Sequence, residues 1–221
     1  MRIIFIPGFA EDELIFSKIT PLIEGDKLVL NSWKLLGNER RESFNALKFA
    51  QEFITTYKIN DSDILIGHSM GGWIAYHVKY LIGCRLIHIA SLTNTDRIIP
   101  PAINHPIIHW AVRHRLIFNR FTTLISSLGF YHHNYSKEIF MYYAHLLEKA
   151  NTENIVNQLK VILNPVDAVI RVQPDLRIHS KDDTILKPPR EPYYEVQGDH
   201  FTLYTHSVEV AKPIIEFLSD L

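Results

Sequence analysis

Apolar positions along this chain follow two alternating rhythms. Residues 2–6 (Arg-Ile-Ile-Phe-Ile) form an unbroken, mostly β-branched run that stops at Pro7-Gly8. Such a run predicts a strand covered on both faces, the habit of parallel sheets. Similar runs at 27–33, 63–66, 85–90, 175–179 and 192–197 predict further strands. Between them the apolar spacing turns helical. Leu14, Phe16, Ile19, Leu22 and Ile23 predict a short helix interrupted by Pro21, and a polar turn follows over 37–42. Phe44, Leu47, Ala50, Phe53, Ile54 and Tyr57 predict a longer helix with Ser43 as N-cap. Residues 70–82 predict a third helix, stopped by Gly83. A last helical segment runs to Leu221, with Pro213 kinking it or starting its final part.

Strands and helices alternating in this way imply right-handed crossovers and an α/β fold, a mostly parallel sheet with helices on both faces. The alternation lapses over 91–164. Pro100-Pro101 and Pro106 break the start of that stretch, and residues 110–128 and 136–163 predict helices. The reading is one α/β domain spanning 1–221, with a helical cap inserted at about 91–164 over the strand ends. No internal repeat or low-complexity tract is visible.

The candidate chemistry gathers at Ile64-Leu65-Ile66-Gly67-His68-Ser69-Met70-Gly71-Gly72. A buried strand turns here directly into a helix, with Ser69 at the apex. So tight a turn requires small residues two places before and after the serine, which Gly67 and Gly71 supply, and Gly72 lets the helix pack close to the strand. The Ser69 hydroxyl is left at a helix N-terminus, where unpaired N–H groups and the helix dipole favour negative charge. A nucleophile in acyl transfer needs that setting. A phosphate-binding loop fits less well, because no Lys-Ser or Lys-Thr pair follows at the required spacing.

Composition narrows the alternatives. A net charge of −1 argues against a nucleic-acid binder. The one cysteine, Cys84, excludes an internal disulfide framework and a cysteine zinc site, and its place after a helix end predicts a packed thiol. No secretory leader and no apolar run of ~18 residues appear, so a cytoplasmic protein with no membrane span is expected.

A serine nucleophile needs a base, and the base needs an orienting acid. In a parallel α/β sheet both belong at the carboxyl ends of strands. Asp182-Asp183 follow the strand at 175–179, and His200 follows the strand at 192–197, in the chain order Ser, Asp, His.

With these residues in view the chain resembles the α/β-hydrolase superfamily nearly end to end, the cap being the least matched part. The family's acid segment, His-Gly-x-x-Asp-x-x-hydrophobic-Pro, is similar to His179-Ser180-Lys181-Asp182-Asp183-Thr184-Ile185-Leu186-Lys187-Pro188. Counting from His179 implies Asp183 as acid. With Ser180 in the glycine's place and the proline one position late, Asp182 is the alternative. The family's Gly-Gly-His-Phe is similar to Gly198-Asp199-His200-Phe201, where Asp199 adds a carboxylate near the site. The oxyanion turn, often His-Gly-Phe in the family, reads Pro7-Gly8-Phe9. The resemblance implies backbone N–H donors from Phe9 and Met70. It also implies a cofactor-independent serine esterase or thioesterase working through Ser69, His200 and Asp183, with no metal. Among family members, pimeloyl-carrier methyl esterases share Pro-Gly-Phe-x-x-Asp-x-x-x-Phe and a basic cap. The same fold also hosts binding and regulatory proteins that retain the triad, cofactor-free lyases and haloperoxidases.

Elsewhere the histidines point to little. His105 and His109 are spaced i,i+4 but lack the Glu of His-Glu-x-x-His, and His132-His133 fit a solvated loop. His68 is expected to shape the turn or the pocket. Over 91–150, six Lys/Arg (Arg97, Arg113, Arg115, Arg120, Lys137, Lys149) face three acids, and six of the 12 histidines lie there. This is an ordinary solvated face or a rim for an anionic substrate or acidic carrier protein. Trp110, Phe118, Phe121, Phe130, Tyr131, Tyr135, Phe140, Tyr142 and Tyr143 are expected mostly to pack the cap, with Trp110, Phe121 and Tyr142 as candidate pocket residues beside His68.

Overall fold

The computed structural model describes residues 1–99, 105–122 and 136–221. Six strands form one sheet: β1 (Ile3–Ile6), β2 (Lys27–Val29), β3 (Ile64–His68), β4 (Arg85–Ile89), β5 (Leu176–His179) and β6 (Tyr194–Glu195). Their order is β2-β1-β3-β4-β5-β6 and every neighbouring pair is parallel. β1 is apolar throughout and β3 nearly so, because both their faces are covered. Alternate side chains part to opposite sides. Ile4, Ile6, Leu65 and Leu86 join one core with α2 (Ala46–Tyr57) and α3 (Met70–Ile82). Ile3, Phe5, Ile64, Ile66, Ile87, Ile89 and Ile178 join another with the 3-10 turn Glu13–Phe16 and the C-terminal helices.

The connectivity fixes where a site can form. From β1 the chain crosses to β2 on one side, then returns past β1 to β3 on the other. That reversal leaves a crevice at the carboxyl ends of β1 and β3, where open α/β sheets place their ligands. Pro7-Gly8-Phe9 leaves β1 there, and Ser69 leaves β3 there.

Several elements depart from the sequence reading. The second strand stops at Val29, because the Asn31 side chain caps α1 (Ser32–Leu36), accepting from the N–H groups of Trp33 (3.0 Å) and Lys34 (3.2 Å). Asn45, not Ser43, caps α2, accepting from Lys48 N–H at 3.1 Å. Between β4 and β5 the helices are shorter than their apolar spacing suggested. α4 (His105–Arg113) tolerates Pro106 in its first turn, where the missing N–H costs no helical bond, and ends before Arg115, whose φ is +56°. The stretch 136–163 is two helices, α5 (Ser136–Lys149) and α6 (Thr152–Leu163), parted where the Asn151 side chain accepts from Glu153 N–H at 2.8 Å. They share a small core of Val112, Leu147, Ile155, Val156, Leu159 and Leu163, with Ala10 from the β1 loop. After β6 come α7 (Thr202–Thr205) and α8 (Ser207–Ser219), the latter running through Pro213. No helix among the described residues is long and apolar enough to cross a membrane.

Candidate active site

The Ser69 turn meets its steric demand with almost no slack. Ser69 has φ +52° and ψ −121°, a conformation rarely open to a side-chain-bearing residue. A Cβ on Gly71 would lie 1.9 Å from the Ile6 carbonyl oxygen, and one on Gly67 would lie 2.4 Å from Gly72 backbone atoms. Gly72 in turn leaves room for Ser91, whose hydroxyl donates to the Ser69 carbonyl at 2.7 Å. These contacts, together with the Ser69 N–H bond to Ile89 O (3.1 Å), hold the serine backbone in its strained conformation.

His200 reaches Ser69 from the far side. Its Nε2 lies 3.0 Å from Ser69 Oγ and its Nδ1 lies 2.8 Å from Asp183 Oδ2. Asp183 is buried, and its Oδ1 accepts from the backbone N–H groups of Ile185 (2.8 Å) and Leu186 (2.9 Å). Asp182, the alternative acid, is exposed and does not contact the imidazole. Burial disfavours the Asp183 carboxylate. The charge and hydrogen bond of His200, with His179 and the Leu186 amide, outweigh that cost and hold its pKa below the usual carboxylate value. Burial alone would likewise lower the His200 pKa. The Asp183 charge and hydrogen bond prevail, helped by Glu11 and Asp199, and the net shift is upward. A base of raised pKa is a stronger proton acceptor.

The β1 turn supplies the facing wall. A Cβ on Gly8 would lie 2.9 Å from Ser69 Cβ, so only glycine lets this turn approach the serine. Neither Phe9 N–H nor Met70 N–H has an acceptor among the described residues.

Sequence reasoning passed over Glu11. It is 2% exposed and lines the same cavity as Ser69 and His200. Its Oε2 accepts from Gly8 N–H at 2.5 Å and lies 2.8 Å from His68 Nδ1. His68 Nε2 in turn lies 2.9 Å from the His200 carbonyl oxygen. The Glu11 carboxylate therefore ties the β1 turn to the backbone that carries His200. His68 is fully buried behind the site and does not line the cavity. Glu11 opens the acidic run Glu11-Asp12-Glu13, so nothing in the sequence set it apart from its neighbours. Asp199 serves the opposite side of the site. Its Oδ1 accepts from Phe201 N–H (2.9 Å) and from the Ser136 hydroxyl (2.7 Å), tying the His200 turn to α5.

Ser69 and His200 open onto a cavity of about 460 Å³ walled mainly by Phe9, Phe118, Phe140, Tyr143, Leu147 and Phe201. Of the residues singled out from sequence for the pocket, none lines it. Trp110 and Phe121 are 54% and 71% exposed, and Tyr142 turns outward to bond Asp12 Oδ2 at 2.6 Å. The helical phase of α5 explains this. Ile139, Tyr143 and Leu147 recur every fourth residue on its buried face, and Tyr142 lies about 100° round. Phe130, Tyr131, Tyr135 and His132-His133 lie outside the described residues. His109 is buried, with its pKa pushed down to about 4 by burial and nearby cations, and among the described residues no cluster of His, Cys, Asp or Glu suits a metal ion. Burial pushes the Cys84 thiol up to about 12, as a packed thiol requires. Of the two readings of the cap's charge, a solvated face or a basic rim, the rim is partly neutralised. Arg113 forms a two-pronged pair with Glu153 (2.6 and 3.1 Å), and Arg115 donates to the Glu148 and Ala150 carbonyls at the end of α5.

No protein-family model matches the sequence, and no curated protein matches it. Solved structures do match. A hydrolase from Oleispira antarctica is 14% identical with a TM-score of 0.72, the match covering 100% of this chain and 91% of that one. A thermophilic esterase from Thermogutta terrifontis is 15% identical with a TM-score of 0.71, covering 100% and 90%. A bromoperoxidase from Bacillus anthracis is 13% identical with a TM-score of 0.68, covering 99% and 91%. Sheet order, parallel pairing and end-to-end superposition agree: this chain has the α/β-hydrolase fold.

Proposed function

We propose that the protein is a serine hydrolase of carboxylic esters or thioesters with an apolar, uncharged acyl group. The observation that carries this is the hydrogen-bonded line Ser69–His200–Asp183 opening onto an apolar cavity. Ser69 Oγ attacks the carbonyl carbon as its proton passes to His200 Nε2. Asp183 accepts the Nδ1–H hydrogen bond and stabilises the imidazolium. The tetrahedral oxyanion is received by the Phe9 and Met70 N–H groups. As it collapses, the C–O or C–S bond breaks, and the leaving alcohol or thiol takes the proton from His200. Water then repeats the sequence and frees the acid and Ser69. The apolar lining and the Arg113–Glu153 pair favour a neutral substrate over an anionic or acidic-carrier one.

The test is steady-state hydrolysis of p-nitrophenyl esters of graded acyl length. Ser69→Ala should lower kcat at least ~10³-fold with an unchanged melting temperature, since the substitution removes no core volume. Turnover by Ser69→Ala equal to the parent's would remove the nucleophile. An inert parent whose Ser69 still reacts with a fluorophosphonate would point instead to a ligand-binding protein on this fold. Because a bromoperoxidase is among the similar structures, a halide-plus-peroxide arm belongs in the same screen.

A further inference from the structure

A second cleft, of about 120 Å³, opens beyond β4 and shares no lining residue with the acyl cavity. It lies behind the Ser69 turn: Ser91, in its wall, is the residue whose hydroxyl bonds the Ser69 carbonyl. Four cations line it, Arg97 from the loop after β4, Arg177 from β5, and Lys187 and Arg190 from the loop after β5. Only Asp96 and Glu191 stand against them, an excess of two positive charges.

None of the four cations is within 4.0 Å of a carboxylate. Arg97 donates to the Pro188 carbonyl and Arg177 to the Gln173 amide oxygen, both neutral acceptors. The Arg97 Nε–H is buried and has no acceptor among the described residues. No hidden acid relieves this, because residues 100–104 and 123–135 contain no Asp or Glu. Arg177 is half-buried, and burial holds its guanidinium below the ordinary arginine range despite the pull of Glu191. Unpaired cations crowded around a partly dry cleft repel one another, and a buried donor without an acceptor calls for a bound group. Guanidinium forks match the oxygens of a tetrahedral oxyanion, and a phosphate carries about −1.5 to −2 charges, which balances the excess.

We propose that this cleft binds a phosphate-class anion, held by Arg97, Arg177, Lys187 and Arg190, at a site separate from the acyl cavity. The inference stands whether or not the protein hydrolyses esters. Isothermal titration of the whole chain with inorganic phosphate and with glycerol 3-phosphate, at fixed ionic strength, tests it. Saturable one-to-one binding of either is expected. Preference for the first identifies free phosphate as the ligand, and preference for the second a phosphate monoester. Arg177→Gln should weaken binding at least tenfold. So should the double variant Lys187→Gln/Arg190→Gln, whose side chains are exposed and carry no packing, so it stays informative if Arg177→Gln fails to fold. Ser69→Ala and the remote, exposed Lys149→Gln should bind like the parent. Heat that does not saturate, a double variant that binds unchanged, or malonate binding as tightly as phosphate would each overturn the proposal.

Discussion

Ser69 and Leu147 face the same cavity but reach it by different physics. Ser69 is placed by its immediate neighbours: Gly67, Gly71 and Gly72 leave the backbone one route, and the strand and helix on either side are rigid. Leu147 is placed by partners far away in sequence, through a small core joining α4, α5, α6 and Ala10. The first region should tolerate no displacement, since the proposed proton transfer would depend on bonds of 2.8 and 3.0 Å. The second needs only to be apolar and of suitable volume. Substitutions around the serine should therefore cost rate, and substitutions in the wall should alter which ester is preferred.

The largest effect expected is at the acid. Asp183→Asn presents an amide to Nδ1 and favours the wrong imidazole tautomer, so kcat should fall about 10⁴-fold. Asp182→Asn, exposed and away from the ring, should stay within about threefold. Measured kcat values in the reverse order would reassign the acid. A smaller loss is expected from Glu11→Ala. It leaves Gly8 N–H without its acceptor and His68 Nδ1 without its partner, and loosens the turn that carries Phe9 N–H. We expect about 10²-fold in kcat with KM for an apolar ester little changed. A loss confined to KM would make Glu11 a lining residue and nothing more.

Legibility in the sequence divides along the same boundary. Gly67-x-Ser69-x-Gly71 was readable because local sterics alone dictate those residues, and α3 begins and ends where the pattern placed it. The ends of β2 and α2 were misplaced because Asn31 and Asn45, single capping side chains, override the apolar spacing around them. The cavity wall was unreadable for a deeper reason. Apolar periodicity sets Tyr143 with Ile139 and Leu147 on the buried face of α5 and Tyr142 off it, but not what lies opposite that face: Phe201 stacks on Tyr143, and Asp12 accepts from both hydroxyls, at 2.6 Å from Tyr142 and 3.4 Å from Tyr143. Glu11 was hidden likewise: its partners, Gly8 and His68, are joined only by the parallel pairing of β1 with β3.

The wall offers the intermediate test. Leu147→Phe adds volume to one side of the cavity without introducing charge, so long acyl chains should lose about tenfold in kcat/KM relative to acetyl. The kcat for acetyl should hold, because nothing at Ser69 or His200 moves. Equal loss on both esters would mean that the wall and the catalytic line are mechanically joined.

The smallest effect sought is a shift in a pH profile, and it probes the join between the two regions. In the mechanism proposed above only neutral His200 accepts the Ser69 proton, so kcat/KM should rise with pH through the pKa of His200. Burial pulls that pKa down, but the charge and hydrogen bond of Asp183 raise it, with Glu11 adding to the rise. The midpoint should then lie above 6.5, the ordinary histidine value. Glu11→Gln keeps a side-chain oxygen for Gly8 N–H and removes the negative charge. The imidazolium loses one source of stabilisation and gives up its proton more readily, so the midpoint should move to lower pH. Asp182→Asn, exposed to water, should leave it in place, because solvent screens its charge. A midpoint unmoved by Glu11→Gln, in protein whose melting temperature matches the parent's, would show that Glu11 acts through the geometry of the turn and not through its charge.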